Sequence, residues 1–163
     1  MIAKILVDIK SKNVDKTYDY NIPPQFTGIL EIGARVIVPF GNRSVMGFCL
    51  EIAETSEYQN TLKDIDRIID VEPYLTQELI ELAKEMQAQS SSLLIQIFQT
   101  MLPAALKVVY KPKIEVVQYD DLPIELQTIF KDSEELMLES IDPELYPLVK
   151  QQIRKLTLKQ IYD

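Results

Sequence analysis

Apolar side chains occupy every second position through much of the first seventy residues. The alternating positions are Ile5, Val7 and Ile9 in AKILVDIK, Val36, Val38 and Phe40 in GARVIVPF, and Met46, Phe48, Leu50 and Ile52 in SVMGFCLEIAE. A period of two is the spacing of a half-buried β-strand. TYDYNIP and IDRIIDV add two more extended stretches, and GNR at 41–43 is a turn signal. The pattern predicts five short strands in a small, OB-like curled sheet that resembles a β-barrel.

A helical period begins near residue 74. Thr76 is a suitable N-cap for a first helix with an apolar face. A second helix is predicted to be capped by one of Ser90 to Ser92 and to end at Pro103. Both apolar faces are expected to pack on the sheet. Residues 1–106 are therefore predicted to form an α+β domain.

Residues 107–163 form a second predicted domain. A linker and a strand precede three helical segments: one at 123–130, one after Ser133, and one that starts at Asp142 with Pro143 in its first position. LTLKQIYD then has the pattern of the first strand of a hairpin. Three short helices and a β-hairpin describe a winged helix. Because one hairpin strand is missing, we expect a partial winged helix that is truncated at the C-terminus.

Charge limits how the chain could contact nucleic acid. The net charge is −8, the wrong sign for a protein that grips a long duplex by releasing counterions. Residues 1–45 are an exception, with six Lys/Arg against four Asp/Glu, whereas residues 46–75 carry two against seven. A small contact with a nucleic-acid end remains compatible with this distribution. The acidic stretch leaves open a second class, a protein-interaction module.

Several kinds of chemistry are excluded by residue type. The chain has no histidine and one cysteine, and it has no glycine-rich phosphate-binding loop. We therefore predict no enzyme activity for this chain and no metal site built on His or Cys. Asp64, Asp66 and Asp70 leave an acid pair or a Mg²⁺ site open, although solvated carboxylates at a strand edge are the favoured interpretation.

A lone cysteine and basic residues near the C-terminus have ordinary explanations. Cys49 lies in an apolar run and is predicted to be a core residue. Lys150, Arg154 and Lys155 form either a solvated face or a stripe that contacts a nucleic-acid backbone. The sequence offers neither a secretory signal nor a transmembrane run. It thus indicates a soluble, cytoplasmic protein of a reducing compartment.

Several stretches together resemble the N-terminal region of the bacterial primosomal replication-restart helicases, the PriA family. They are VDIKSKNVDKTYDYNIP, GARVIVPFGNR, GFCLEI, LKDIDRIIDVEPYLTQELIELAKEM and QTMLPAALK, in this order. The resemblance covers about residues 5–107. It implies a domain that binds the 3′ end of the nascent leading strand at a stalled fork, followed by a winged helix. The sequence departs from the family pattern at Met86 to Ser92, where an aromatic-rich segment is usual and MQAQSSS stands instead.

The resemblance also implies which residues form the pocket for the terminal nucleotide. They are Tyr18, Asp19, Gly41 and Lys63, with Arg35 and Arg43 as second-line candidates for phosphate contacts. ATP, Mg²⁺ and zinc are implied only for the helicase part of the family, so no cofactor is expected here. DNA is the implied partner of this chain, and other primosome proteins and single-strand-binding protein are those of the full-length protein.

The chemistry of Asp19 fits such a pocket. A carboxylate repels phosphate, but it accepts hydrogen bonds from a base or from a 3′-hydroxyl. Strand alternation places Tyr18 and Tyr20 on the face opposite Asp19, so a tyrosine that stacks on a base requires a bulge. Structural alternatives stay open: Asp19 could cap a turn or pair with Lys16, and the turn alone explains Gly41.

Overall fold

The computed structural model of the chain describes residues 1–55, 61–106 and 111–162. It divides into two compact units, Met1–Val109 and Tyr110–Asp163, and each is described by itself below. The predicted domain boundary at 106/107 adjoins residues 107–110, which lie outside the described residues, so it stays a prediction. Within the described ranges, no helix has the length and apolarity needed to cross a membrane.

An antiparallel five-stranded sheet forms the centre of the first unit. Its strands are β1 (Ile2–Val7), β2 (Thr17–Asn21), β3 (Arg35–Phe40), β4 (Arg43–Ala53) and β5 (Arg67–Ile68), in the order β2-β1-β4-β3-β5. All five predicted strands are present, and the predicted α+β class is confirmed. β1 is buried on both faces rather than one, since Leu6 is as inaccessible as Ile5.

The sheet curls so that its two edges approach each other. The Tyr20 hydroxyl of edge strand β2 donates to the Pro39 carbonyl of β3 at 3.1 Å, although two strands lie between them in the sheet. Asn21 forms a parallel bridge with Asp64, just before β5 on the other edge. Among the described residues this is a single bridge rather than a ladder, so the sheet is strongly curled but not a closed barrel.

A β-bulge interrupts the alternation in β4. Lys4 of β1 pairs with Glu51, but the next residue, Ile5, pairs with Cys49, which leaves Leu50 as the extra residue. The predicted continuous apolar face from Met46 to Ile52 is therefore wrong. From Glu51 onward, the residues that face a given side of the sheet are shifted by one position. Cys49, just before the extra residue, is buried, whereas Leu50 is partly exposed.

Two helices cover the sheet of the first unit. They are α1 (Gln77–Gln89) and α2 (Leu94–Met101), and the Phe98 ring packs against Phe48 of β4 with 5.4 Å between centroids. The predicted Thr76 cap of α1 is confirmed, because its Oγ1 accepts from the Leu79 N–H at 3.4 Å. The predicted serine cap of α2 is wrong.

The first N–H of α2 is satisfied by a residue that is distant in sequence. Both oxygens of Asp15, which precedes β2, lie within 3.2 Å of the Leu94 nitrogen. A carboxylate is well suited to a helix N-terminus because it accepts the free N–H groups and complements the helix dipole. This contact fixes the chain between β1 and β2 to the helical layer.

The second unit has a three-stranded antiparallel sheet in the order β7-β6-β8. Its elements are β6 (Pro112–Val116), α3 (Ile124–Ile129), β7 (Glu135–Met137), α4 (Tyr146–Arg154) and β8 (Leu158–Tyr162). One prediction is wrong here, because the segment after Ser133 forms strand β7 rather than a helix. β8 pairs with the upstream strand β6 and lies at an edge of this sheet, so its place in a hairpin stays a prediction.

The prediction that Lys150 forms a basic stripe with Arg154 and Lys155 is wrong. Lys150 is only 5% exposed, so it cannot belong to a solvated face together with Arg154 and Lys155. The helix ends in a Schellman motif, in which the N–H of Thr157 donates to the Gln152 carbonyl and that of the preceding residue donates to Ile153.

Candidate functional site

An open cavity of about 610 Å³ lies in the first unit, at the place where the sheet edges approach each other. Three segments line it: residues 16–20 of the β2 region, residues 39–41 at the end of β3, and residues 61–63 before β5. The curl of the sheet creates this space, because β2 and the end of β3 would be far apart in a flat sheet of the same strand order.

The four pocket residues predicted from the sequence all line this cavity. Tyr18 and Asp19 come from β2, Gly41 from the turn after β3, and Lys63 from the segment before β5. Two of them are in direct contact, since the Lys63 Nζ donates to the Gly41 carbonyl at 3.3 Å. The structure thus brings together residues that are up to 45 positions apart, while their role in binding stays a prediction.

One wall of the cavity is aromatic and carries a cation. The Tyr18 ring meets the Phe40 ring edge to face, with centroids 5.0 Å apart and an interplanar angle of 78°. The Nζ of Lys16 lies 5.5 Å from the centroid of the Tyr18 ring. This wall offers an apolar surface on which a base could stack, with a positive charge beside it.

Consecutive residues of β2 line the cavity, although side chains alternate along a strand. Tyr18 and Tyr20 lie opposite Ile5 and Ala3 of β1, whereas Asp19 lies opposite Lys4. The strand alternation predicted for Asp19 is therefore present, and no bulge interrupts this pairing. Because β2 is an edge strand, residues of both its faces can line the cavity without a bulge.

Asp19 belongs to a row of alternating charges on three neighbouring strands. Lys4 lies opposite both Asp19 and Glu51, and its Nζ is 2.9 Å from the Glu51 carboxylate. Lys16, the predicted alternative partner of Asp19, lies instead against the Tyr18 ring. The carboxylate of Asp19 is partly exposed at the cavity and can accept hydrogen bonds there.

Tyr20 connects two of the segments that line the cavity, because its hydroxyl on β2 donates to a carbonyl of β3. It is 4% exposed, and burial raises the pKa of its hydroxyl to about 12, with smaller contributions from Tyr18 and Asp66. The hydroxyl therefore stays protonated at neutral pH and holds β2 to the Pro39 carbonyl. Its role is structural.

Arg35 is the clearest error among the predicted site residues. Its side chain is 1% exposed and forms two hydrogen bonds with Asp70, of 2.8 Å from Nε and 2.7 Å from Nη2, and Nη1 donates to the Leu106 carbonyl. A guanidinium that is enclosed and bonded in this way cannot reach a phosphate. Arg43 is exposed at the start of β4, but it does not line the cavity, so its phosphate contact stays a prediction.

The carboxylates considered for a metal do not converge. Asp70 is buried against Arg35, and Asp66 accepts a hydrogen bond from the Ser44 hydroxyl at 2.9 Å. Across residues 1–55, 61–106 and 111–162, no three His, Cys, Asp or Glu side chains are grouped as metal ligands. The prediction that Asp70 is a solvated edge charge is also wrong.

Cys49 is a core residue, as predicted. Its side chain is fully buried, and burial raises the pKa of the thiol to about 12. A thiol that stays protonated at neutral pH is a poor nucleophile.

Sequence reasoning missed Lys16 and Phe40 as parts of the site. Phe40 ends an alternating strand and was assigned to the core. Its position directly before the Gly41 turn, where the strand leaves the sheet, was a usable signal. Lys16 stands immediately before the strand that carries Asp19.

Known proteins match the part of the chain that contains this cavity. A family model described as the 3′ DNA-binding domain (3′BD) of PriA matches residues 4–103. The replication restart protein PriA of Bacillus subtilis is 34% identical over 94% of this chain, which corresponds to 19% of that relative. A probable PriA of Mycobacterium tuberculosis is 30% identical over 56% of the chain and 14% of the relative. The chain thus spans about a fifth of the length of the Bacillus protein.

Proposed function

Because this chain belongs to the family of PriA 3′ DNA-binding domains, we propose that its cavity receives the terminal nucleotide of a DNA 3′ end. The observation that carries the proposal is the convergence of Tyr18, Asp19, Gly41 and Lys63 on one open cavity. The alternative of an acidic protein-docking module gains no support from the family match.

The lining offers complementary groups for a nucleotide with a free 3′-hydroxyl. The Asp19 carboxylate accepts from the hydroxyl or from a base N–H, and Lys63 supplies a positive charge for the last phosphate. The ring of Tyr18 offers a stacking surface, which for a base is worth about 1–3 kcal/mol. Gly41 allows the main chain to approach the nucleotide closely because it has no Cβ.

The wider activity follows the same proposal. In a full-length protein of this family, the domain would hold the nascent leading strand at a stalled fork for a helicase that uses ATP and Mg²⁺ and contains zinc. The partners there would be other primosome proteins and single-strand-binding protein. The first unit would be the OB-like module of the family. The second would be a winged-helix-like domain with β6 and β8 in its sheet.

A comparison of 3′ ends tests the proposal. Fluorescence anisotropy with a short single strand that carries a 5′ label should give tighter binding for a free 3′-hydroxyl than for a 3′-phosphate. Equal affinity for the two ends in the wild-type protein contradicts the proposal.

Substitution of Asp19 tests which group recognises the end. Asp19→Ala should weaken binding of the 3′-hydroxyl strand about tenfold, the equivalent of about 1.4 kcal/mol for one lost hydrogen bond. Asp66→Ala removes the same charge from a residue outside the cavity lining and should leave the affinity nearly unchanged. Thermal unfolding of both variants checks the fold, and a large loss of stability in Asp19→Ala would indicate a structural role instead.

A further inference from the structure

The segment between β1 and β2 concentrates positive charge beside the cavity. This segment, residues 8–16 with the sequence DIKSKNVDK, is called the β1–β2 loop below; it contains the three lysines Lys10, Lys12 and Lys16 and two aspartates. All three lysines are exposed, and Lys16 itself lines the cavity. The loop therefore leads directly from the surface into the candidate site.

The two aspartates of the loop are bonded to the helical layer. The carboxylate of Asp15 accepts from the Leu94 N–H and, at 2.7 Å, from the Gln87 side chain, while Asp8 accepts from Gln99. Both carboxylates are thus engaged by α1 or α2, whereas the lysine side chains are exposed to solvent. A segment with a net charge of only +1 consequently presents an outer surface of ammonium groups.

We propose that the β1–β2 loop binds the phosphates of the nucleotides that precede the terminal one, and so guides the single strand into the cavity. The inference rests on the proposed function, because it assigns a path to the same DNA strand. The ligand class is the sugar–phosphate backbone, which lysines bind as point charges without reading sequence.

The lysines should differ in importance. Lys16 is at the cavity lining and its ammonium group lies beside the Tyr18 ring, so it is placed for the phosphate of the nucleotide next to the terminal one. Lys12 lies in the short 3₁₀ helix Lys12–Val14 and follows outward along the loop. Lys10 is close enough to Asp8 to lower the pKa of that carboxyl, against the larger effect of burial, so part of its charge is already engaged.

The overall charge of the protein makes this local surface necessary. At a net charge of −8, most of the molecule repels DNA at long range. Affinity for the backbone must then come from a small patch. Arg35, predicted as a phosphate contact, does not contribute to it, because its side chain is enclosed against Asp70.

The salt dependence of binding tests the proposal. Each phosphate contact on a single strand contributes about 0.7 to the slope of log affinity against log salt concentration. The triple variant Lys10→Gln, Lys12→Gln, Lys16→Gln should therefore lower the slope by about 2 for a hexanucleotide with a free 3′-hydroxyl. Because Lys16 also lines the cavity, the preference for a 3′-hydroxyl over a 3′-phosphate is measured in the double variant Lys10→Gln, Lys12→Gln, where it should remain.

A matched control separates the loop from general electrostatics. Lys111→Gln, Lys131→Gln, Lys159→Gln removes the same charge from exposed residues of the second unit and should leave the slope unchanged. An equal decrease in both triple variants overturns the proposal. The triple Lys→Arg variant of the loop keeps the charge, and it should retain the wild-type slope if the loop acts through its charge.

The two proposals fail in different ways. If the wild-type protein prefers the 3′-hydroxyl but the loop variant keeps the full slope, the phosphate path is wrong and the proposed function stands. If the wild-type protein shows no preference between the two ends, the proposed function is wrong. Asp19→Ala should lose the preference and keep the slope. The double variant Lys10→Gln, Lys12→Gln should do the reverse, with a slope lower by about 1.4.

Discussion

The two ends of β3 place charge in opposite surroundings. At its start, Arg35 is enclosed and its guanidinium is bonded to Asp70 and to a main-chain carbonyl. At its end, Phe40 and Gly41 line an open cavity. The exposed Lys63 donates a hydrogen bond to the Gly41 carbonyl at the rim of this cavity. The six residues of this strand thus connect a structural ion pair with a candidate ligand site.

The difference shows that residue type alone does not assign a role to a basic side chain. Arg35 and Lys63 both carry a positive charge, and the family resemblance made both of them candidates for contact with DNA. Burial together with a complete set of acceptors makes Arg35 part of the core. Exposure beside a concave surface leaves Lys63 available to a ligand.

The largest expected effect follows from breaking the buried pair. Arg35→Ala leaves the Asp70 carboxylate buried without its partner, and such a loss typically destabilises a protein by about 3–5 kcal/mol. Urea unfolding followed by circular dichroism measures the change. A stable Arg35→Ala variant with weakened DNA binding would reverse the comparison, because it would place Arg35 in the site.

A double variant sharpens this test. Arg35→Met with Asp70→Asn removes both charges, and the Asn oxygen can still accept from the main-chain N–H of residue 35, which now donates to Asp70 at 3.0 Å. Most of the lost stability should return, since replacing a buried ion pair by neutral groups is often close to neutral. A double variant as unstable as Arg35→Ala would point to packing rather than to charge.

A smaller effect is expected at the other end of β3, from Gly41→Ala. Gly41 has φ +62°, so an alanine there should cost about 1 kcal/mol of stability through backbone strain. A Cβ at this position would meet nothing within 4 Å in the protein itself. Any loss of 3′-end affinity beyond the change in stability would therefore come from contact with the nucleotide.

Gly28 provides the matched control. It has φ +80°, its Cβ would also meet nothing within 4 Å, and it does not line the cavity. Gly28→Ala should cost similar stability and leave binding unchanged. If the two variants bind DNA equally well, Gly41 serves only the turn.

The local pattern predicted the elements of the first unit better than their packing. The period of two found all five strands, and the polar-to-apolar boundary at Thr76 found the start of α1. The bulge at Leu50 could not be predicted, because it depends on the register between β1 and β4. The Asp15 cap of α2 is likewise invisible in a local pattern, since the residues it joins are 79 positions apart.

The second unit shows where local propensity fails. Residues 133–138 have good helix formers, yet Glu135–Met137 pairs with β6 and Lys113 forms an ion pair with Glu135 at 3.3 Å. Tertiary pairing overrides propensity in such a short segment. In the site, family resemblance identified four of the residues that line the cavity. It did not reveal that Arg35 is enclosed, because this burial depends on Asp70 and Leu106.

The smallest expected effect concerns two carboxylates, which differ in how far hydrogen bonds and neighbouring positive charges offset the cost of their burial. Asp70 receives hydrogen bonds from the Arg35 side chain and main chain, whereas Asp8 is partly buried with Gln99 as donor and Lys10 nearby. Burial is the largest effect on Asp8 and raises its pKa above the ordinary value of 3.8, despite Gln99 and Lys10. The ionised form of Asp8 therefore opposes folding, whereas Asp70 is paired with Arg35.

The sign of the pH dependence follows from the raised pKa. The folded protein holds the Asp8 proton to higher pH than the unfolded chain, so this group favours folding at low pH, and the contribution is lost as the pH rises through its folded pKa. Asp8→Asn keeps an oxygen that can accept from Gln99 and should stabilise the protein at pH 7. The gain should shrink toward about pH 3, where Asp8 is protonated in both states. Urea unfolding at both pH values measures it, with Asp64→Asn as an exposed control, and an equal gain at both would assign the effect to packing.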